Sequence, residues 1–260
     1  MSNNVNDLFK NANEDGTITN EAMNALIVVD IGNEIQAALG VNVDDVQASE
    51  VVLLTMMPDD SGSIRFGGNT QAVCDGHNLV VEALEASKQQ DNILAHTRYL
   101  NGKILFPYIQ LNQAVKMSSQ NYNPNQGTPL YDQTVMLLGT VLAKTQEFAE
   151  NGVPVRTVTL IITDGDDIHS TKANAKMVKT IVDDMLRTEQ HIIAAMGIDD
   201  GGTDFRRVFR EMGIRDEWIL TPGNTQTEIR KAFQVFSQSA IRASQSAVNF
   251  SQTALGGFGN

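Results

Sequence analysis

Seven consecutive residues, Val51-Val52-Leu53-Leu54-Thr55-Met56-Met57, carry neither a charge nor an apolar–polar alternation. A strand with one wet face alternates. A run that is apolar throughout suits a strand covered on both faces, as in a parallel sheet sandwiched between helices. From this point the chain alternates between strand and helix patterns. A helix is predicted from an Asn69 cap to about Gln90, with Val73, Val80, Ala83 and Leu84 inward. Strands follow at about 92–100 and 103–109, joined by Asn101-Gly102, a strong hairpin signal. A helix over about 129–150 has Pro129 at its first position. Further elements are a strand from Val155 to Thr163, a helix over about 171–188 capped by Ser170, a strand from Ile192 to Ile198, a short helix over 203–212, a short strand Trp218-Ile219-Leu220 and a closing helix over about 225–245. The expected fold is α/β: a doubly wound, mainly parallel six-stranded sheet with one antiparallel edge strand.

Residues 1–50 read as an acidic N-terminal extension, with a helix over about 20–39 ended by Gly40 and no clear period in residues 1–19. Residues 51–245 form the domain, and 246–260, uncharged and rich in Ser, Gly and Ala, read as a flexible tail. Residues 1–60 hold eleven acids and one base, a net −10, which leaves only −2 for residues 61–260. With a net charge of −12, nucleic acid is not an expected partner. No apolar run approaches the roughly 18 residues of a membrane span, and Met1-Ser2-Asn3-Asn4 lacks the features of a secretory leader. The single cysteine, Cys74, forms no intrachain disulfide. Together these lead to the expectation of a cytoplasmic protein.

In doubly wound sheets ligands bind where strands end and the topology switches. The informative residues fall at such junctions. Asp59-Asp60-Ser61-Gly62-Ser63 follows the first apolar strand and places Asp59, Ser61 and Ser63 at i, i+2, i+4. Thr128 opens a helix in Gly127-Thr128-Pro129-Leu130, and Asp164 follows a strand in Thr163-Asp164-Gly165. Carboxylate and hydroxyl oxygens without Cys or His suit a hard cation: Mg²⁺ in the first instance, with Mn²⁺ or Ca²⁺ also compatible.

This ordered set resembles the metal-ion-dependent adhesion site of von Willebrand factor A (vWA) domains over about residues 50–240. The resemblance implies that Ser61, Ser63 and Thr128 bind the metal directly, that Asp59 and Asp164 bind it directly or through water, and that a partner's carboxylate takes the open position. The stretch from Glu228 to Ser239 is similar to the closing helix of bacterial tellurium-resistance-type vWA proteins. Pro58 interrupts the usual apolar approach to the first aspartate and Ile64 replaces a frequent methionine. Neither change removes a ligand oxygen.

Three other motifs are weaker. Asn11 to Thr19 resembles the start of an EF-hand loop but lacks the Glu at position 12, where Ala22 stands. Leu26 to Asn33 resembles an actin-type phosphate loop, with Glu34 where a carboxylate would repel phosphate. Asp164-Gly165-Asp166-Asp167 contains the Asp-x-Asp of haloacid-dehalogenase-type phosphatases, but Asp166 and Asp167 are read instead as charge around the metal. His77, His96, His169 and His191 show no ligand spacing. No nucleophile–base pair is evident. The expected function is therefore a non-enzymatic, metal-dependent binding module for a protein partner that supplies a carboxylate. The alternatives are a metal-dependent phosphohydrolase and a structural subunit of a self-assembling particle. The acidic arm is further expected either to screen the metal from acidic partners or to occupy its open position, in its own or a neighbouring chain, with Asp44 and Asp45 as candidates; the alternative is a merely solubilising extension.

Overall fold

The computed structural model describes residues 4–28, 32–245 and 255–258. The strands are β1 (Val51–Met57), β2 (Ile93–Arg98), β3 (Ile104–Gln110), β4 (Val155–Thr163), β5 (His191–Gly197) and β6 (Ile219–Leu220). They form one sheet in the order β3-β2-β1-β4-β5-β6, with β3 antiparallel and the rest parallel. Every residue of β1, β2, β4 and β5 is buried, as uniform apolar runs require of central strands. The expected antiparallel edge is present. Its turn spans Tyr99 to Lys103, with Tyr99 N–H donating to Lys103 O at 2.8 Å.

The helices are α1 (Val5–Glu14), α2 (Asn20–Val28), α3 (Gly32–Ala38), α4 (Gly62–Phe66), α5 (Thr70–Glu85), α6 (Leu130–Glu150), α7 (Ala175–Arg187), α8 (Phe205–Glu211) and α9 (Gln226–Gln245). α6 packs on β1, β4 and α7, while α5 pairs with α9. The α7 start differs from expectation. Asn174, not Ser170, caps it, accepting from Met177 N–H at 3.1 Å. Ser170 is occupied elsewhere, donating to Asp167 and accepting from Asp132 N–H.

The N-terminal region is not a separate arm. α1 carries a helical stripe, Val5, Leu8, Phe9 and Ala12, all buried; its Asn-rich composition hides that period. The helix expected over 20–39 is two helices, α2 and α3, and residues 29–31, within the phosphate-loop-like stretch, lie outside the described residues. Asn11 to Glu14 are helical, so the EF-hand-like stretch is a helix end and a turn. α1, α2 and α3 pack on α6 and α7, and their apolar residues join the same core as the sheet. This explains α6, which is buried around nearly its whole circumference, Lys144 included. A helix wetted on one face would not tolerate that pattern. The Lys144 ammonium donates to Val41 O at 2.5 Å and Glu147 at 2.7 Å, and Asp184 accepts from both Thr19 N–H and Oγ at 2.7 Å. Close approach fixes the next segment: a Cβ on Gly40 would lie 2.0 Å from Tyr108 O.

Two further expectations are corrected. Asp44 and Asp45 lie in a 3₁₀ turn beside Val43 and Val46, which pack against a small cluster that includes Val51 and Val155, the first residues of β1 and β4. The seven residues of β1, at roughly 3.3 Å each, separate them from Asp59, so they cannot reach the metal position of their own chain. In the tail, residues 255–258 pack on the domain: Phe258 N–H donates to Glu217 O at 3.0 Å, and its ring meets Trp218 at 5.2 Å. Residues 246–254 lie outside the described residues. No single helix among the described residues is long and apolar enough to cross a membrane.

Candidate metal centre

β1 and β4 are neighbours whose onward connections leave in opposite directions, to β2 on one side and β5 on the other. Their C-terminal ends therefore frame the crevice where doubly wound folds place ligands. Met57 pairs with Ile161, so two residues on Asp59 stands level with Thr163. Asp59 is fully buried and held by protein donors: one oxygen accepts from Ser61 N–H at 2.7 Å, the other from Thr163 Oγ at 2.7 Å and Asp164 N–H at 3.4 Å. Ser63 Oγ donates to Asp164 Oδ1 at 2.6 Å, Ser61 and Ser63 Oγ are 2.8 Å apart, and Ser61 Oγ lies 3.5 Å from Asp164 Oδ1. Adjacent oxygens around an octahedral Mg²⁺ are about 2.9 Å apart, the metal–oxygen distance being about 2.0–2.1 Å. The triangle formed by Ser61, Ser63 and Asp164 has that size, and Ser63 is exposed, so it opens to solvent.

Thr128 is brought to the same place by its backbone. Gly62 N–H donates to Gln126 O at 3.0 Å, joining the segment before Thr128 to the Ser61–Ser63 turn. Thr128 O accepts from Ile168 and His169 N–H, each at 3.2 Å, and Thr128 N–H donates to His169 Nδ1 at 2.8 Å. A Cβ on Gly127 would lie 2.9 Å from the His169 ring, so this approach needs glycine. Asp167 accepts from Tyr131 N–H, and Asp132 accepts from Thr171, Lys172 and Ala173 N–H. The two loops are thus strapped together. Asp167, read from sequence as charge around a metal, spends its carboxylate at the start of α6. His169, read as a solvated loop residue, is exposed but positions Thr128.

Sequence reasoning missed four supporting residues. Asp60 Oδ1 accepts from Asn101 N–H at 2.9 Å, tying the β2–β3 turn to the site. Tyr122 donates its hydroxyl to Asp59 O, and its ring lies 5.4 Å from that of Tyr99. Thr163 orients Asp59, and His169 orients Thr128. All act through tertiary contacts that leave no local pattern. The other histidines are core residues: burial lowers His77 to about 4, and His96 and His191 to about 3.

The electrostatics of the site favour a cation. Burial, opposed by hydrogen bonds from Ser61, Thr163 and Asp164, raises Asp59 above the usual carboxylate range. Burial, with the Asp59 charge adding to it, raises Asp60 to about 7. Asp164 rises to about 6, again through burial first and then repulsion from Asp59 and Asp200. Among the described residues none of the three has an ion-pair partner. Buried carboxylates without a counter-charge are costly, and a divalent ion supplies what these lack. No group of three or more His, Cys, Asp or Glu placed to hold a metal occurs among the described residues. The hydroxyls of Ser61, Ser63 and Thr128 are thus needed to complete a donor set, which favours a hard cation.

Sheet order, the single antiparallel edge strand and the flanking helices are those of the von Willebrand factor A fold that the sequence resemblance implies. Among solved structures, the pilus adhesin SpaC from Lactobacillus rhamnosus GG aligns with a TM-score of 0.54 at 12% identity, over 75% of this chain and 30% of its own. Proximal thread matrix protein 1 from the mussel byssus aligns with a TM-score of 0.53 at 15% identity, over 74% of this chain and 46% of its own. This chain thus matches less than half the length of either. No family model matches the sequence, and no curated protein is significantly similar to it.

Proposed function

We propose that the protein is a binding module that holds a divalent metal through Ser61, Ser63, Thr128, Asp164 and Asp59 and uses it to capture a carboxylate of a protein partner. The observation that carries this is the Ser61–Ser63–Asp164 oxygen triangle, of octahedral size, above buried carboxylates that have no ion-pair partner among the described residues. Asp59, its oxygens taken up by protein donors, acts behind the metal as a charge and a brace for Ser61. Ser61, Ser63 and Thr128 supply neutral oxygens, which leave the ion electrophilic toward an incoming anion. Mg²⁺ is the ion we assign in the cell, with Mn²⁺ binding more tightly in vitro. The adhesive role named for the pilus protein supports this reading.

A phosphohydrolase is less well supported, because Asp166 Oδ1 accepts from Asp167 N–H at 2.8 Å and Asp167 is engaged by Tyr131 and Ser170, so these carboxylates brace the loop. Calorimetry with Mg²⁺ and Mn²⁺ tests the proposal. One ion per chain is expected for the native protein, and Asp59→Ala and Asp164→Ala should lose most of the affinity. Native-like binding in both variants would refute the site.

A further inference from the structure

Four large apolar side chains are exposed among the described residues: Phe66 at 81%, Ile168 at 72%, Val115 at 46% and Ile27 at 39%. The two most exposed are both carried by segments that hold candidate ligands, and they come from different parts of the chain. Phe66 ends α4, the short helix that begins at Gly62 within the Ser61–Ser63 turn. Its ring folds back over that turn, since a Cβ on Gly62 would lie 3.5 Å from Phe66 Cε2. Ile168 is tied by its own N–H to Thr128 O, next to another candidate ligand. Scattered surface hydrophobes need no explanation. Two rings or branches this exposed, on segments of one site and matched nowhere else among the described residues, are a different matter. Arg65 adds a charge of the right sign: its guanidinium carbon lies 5.0 Å from the centre of the Phe66 ring, and the residue is exposed.

We infer that Phe66 and Ile168 are apolar seats flanking the metal, and that the partner presents its carboxylate on a protein segment with apolar residues on both sides of it. This rests on the metal–carboxylate reading above and adds the identity of the neighbours. The metal fixes one atom of the partner. The seats make the contact specific, because an acidic residue amid polar neighbours gains nothing from them, and Arg65 steers acidic segments inward. Aromatic anchors next to a desolvated polar contact are where binding energy concentrates at interfaces. A free carboxylate metabolite has no use for two separated apolar seats, so the partner is a polypeptide.

A random-peptide display library, selected on the immobilised protein in Mg²⁺, tests this. Enriched peptides should share an Asp or Glu with large apolar residues within a few positions on both sides. An enriched peptide, synthesised, should bind Phe66→Ser and Ile168→Ser each about tenfold or more weakly. Calorimetric Mg²⁺ affinity should be unchanged in both variants, because neither side chain is a ligand and both are exposed. Acidic peptides without apolar neighbours, indifference to both substitutions, or no enrichment over bare matrix would overturn the inference. Peptides that need Phe66 but survive EDTA would leave the seats standing and refute the metal's part instead. Sedimentation showing a dimer that Phe66→Ser dissolves would assign the seats to a second copy of this chain and overturn the proposal.

Discussion

Replacing Asp164 by Asn should stabilise the metal-free protein while abolishing its response to metal. Asp164 is almost fully buried, and its carboxyl is raised from 3.8 to about 6, chiefly by burial and then by the Asp59 and Asp200 charges. A folded-state pKa above the unfolded value means that the folded protein holds this proton more tightly. The ionised group therefore destabilises the fold above about pH 6, and the cost vanishes below the unfolded pKa. A shift of about two units corresponds to ~3 kcal/mol at most. Asn keeps the shape and an acceptor for Ser63 but cannot ionise. In urea unfolding at pH 8 with EDTA, Asp164→Asn should therefore exceed the native protein by up to ~3 kcal/mol, and the gap should close toward pH 4. Added Mg²⁺ should reverse the order: at a thousandfold excess over Kd the native protein gains about 4.1 kcal/mol and the variant nothing. A variant less stable than native at pH 8 without metal, or one still stabilised by Mg²⁺, would refute the reasoning.

Mg²⁺ affinity should fall on acidification through pH 7 to 6, because Asp60 at about 7 and Asp164 at about 6 take up protons that compete with the ion; calorimetry at stepped pH measures this. Thr128→Ala should weaken Mg²⁺ binding with little loss of urea stability, since the backbone of Thr128 and not its hydroxyl carries the contacts to His169 and Ile168. Deleting residues 1–45 should abolish soluble folding, because it strips the outer face of α6 and removes the Val41 acceptor of buried Lys144; the soluble yield and circular dichroism of the truncated chain report it. Phe258→Ala should cost about 1–2 kcal/mol and red-shift the emission of Trp218, the only tryptophan, now packed edge-on against that ring.

What the sequence disclosed follows from how locally each feature is encoded. The uniformly apolar β1 needs only its own seven residues to declare two covered faces, and the Asn101-Gly102 turn declares the antiparallel edge. Asp59, Ser61 and Ser63 are legible because their spacing lies within five residues, and Asp164 because it follows a strand. Thr163, Tyr122, Asp60 and His169 are not legible, because each acts on a residue about 40 to 100 positions away and has no signature in its own neighbourhood. α1 was hidden by composition: its stripe of Val5, Leu8, Phe9 and Ala12 has the helical period, but the asparagines between them read as loop. The acidity of residues 1–60 suggested an arm, whereas Asp7, Glu14, Asp15, Glu21 and Glu34 decorate the wet side of a layer whose apolar side completes the core. Ser170 reads as the cap of α7, and only the tertiary claim of Asp132 and Asp167 on it leaves that place to Asn174.

The most direct test is anomalous diffraction from crystals grown with Mn²⁺. The account predicts a single strong peak per chain, bounded by Ser61 Oγ, Ser63 Oγ and an Asp164 oxygen, with Thr128 beside it and Asp59 behind. No peak there at saturating Mn²⁺, or one lying among other residues, would contradict it.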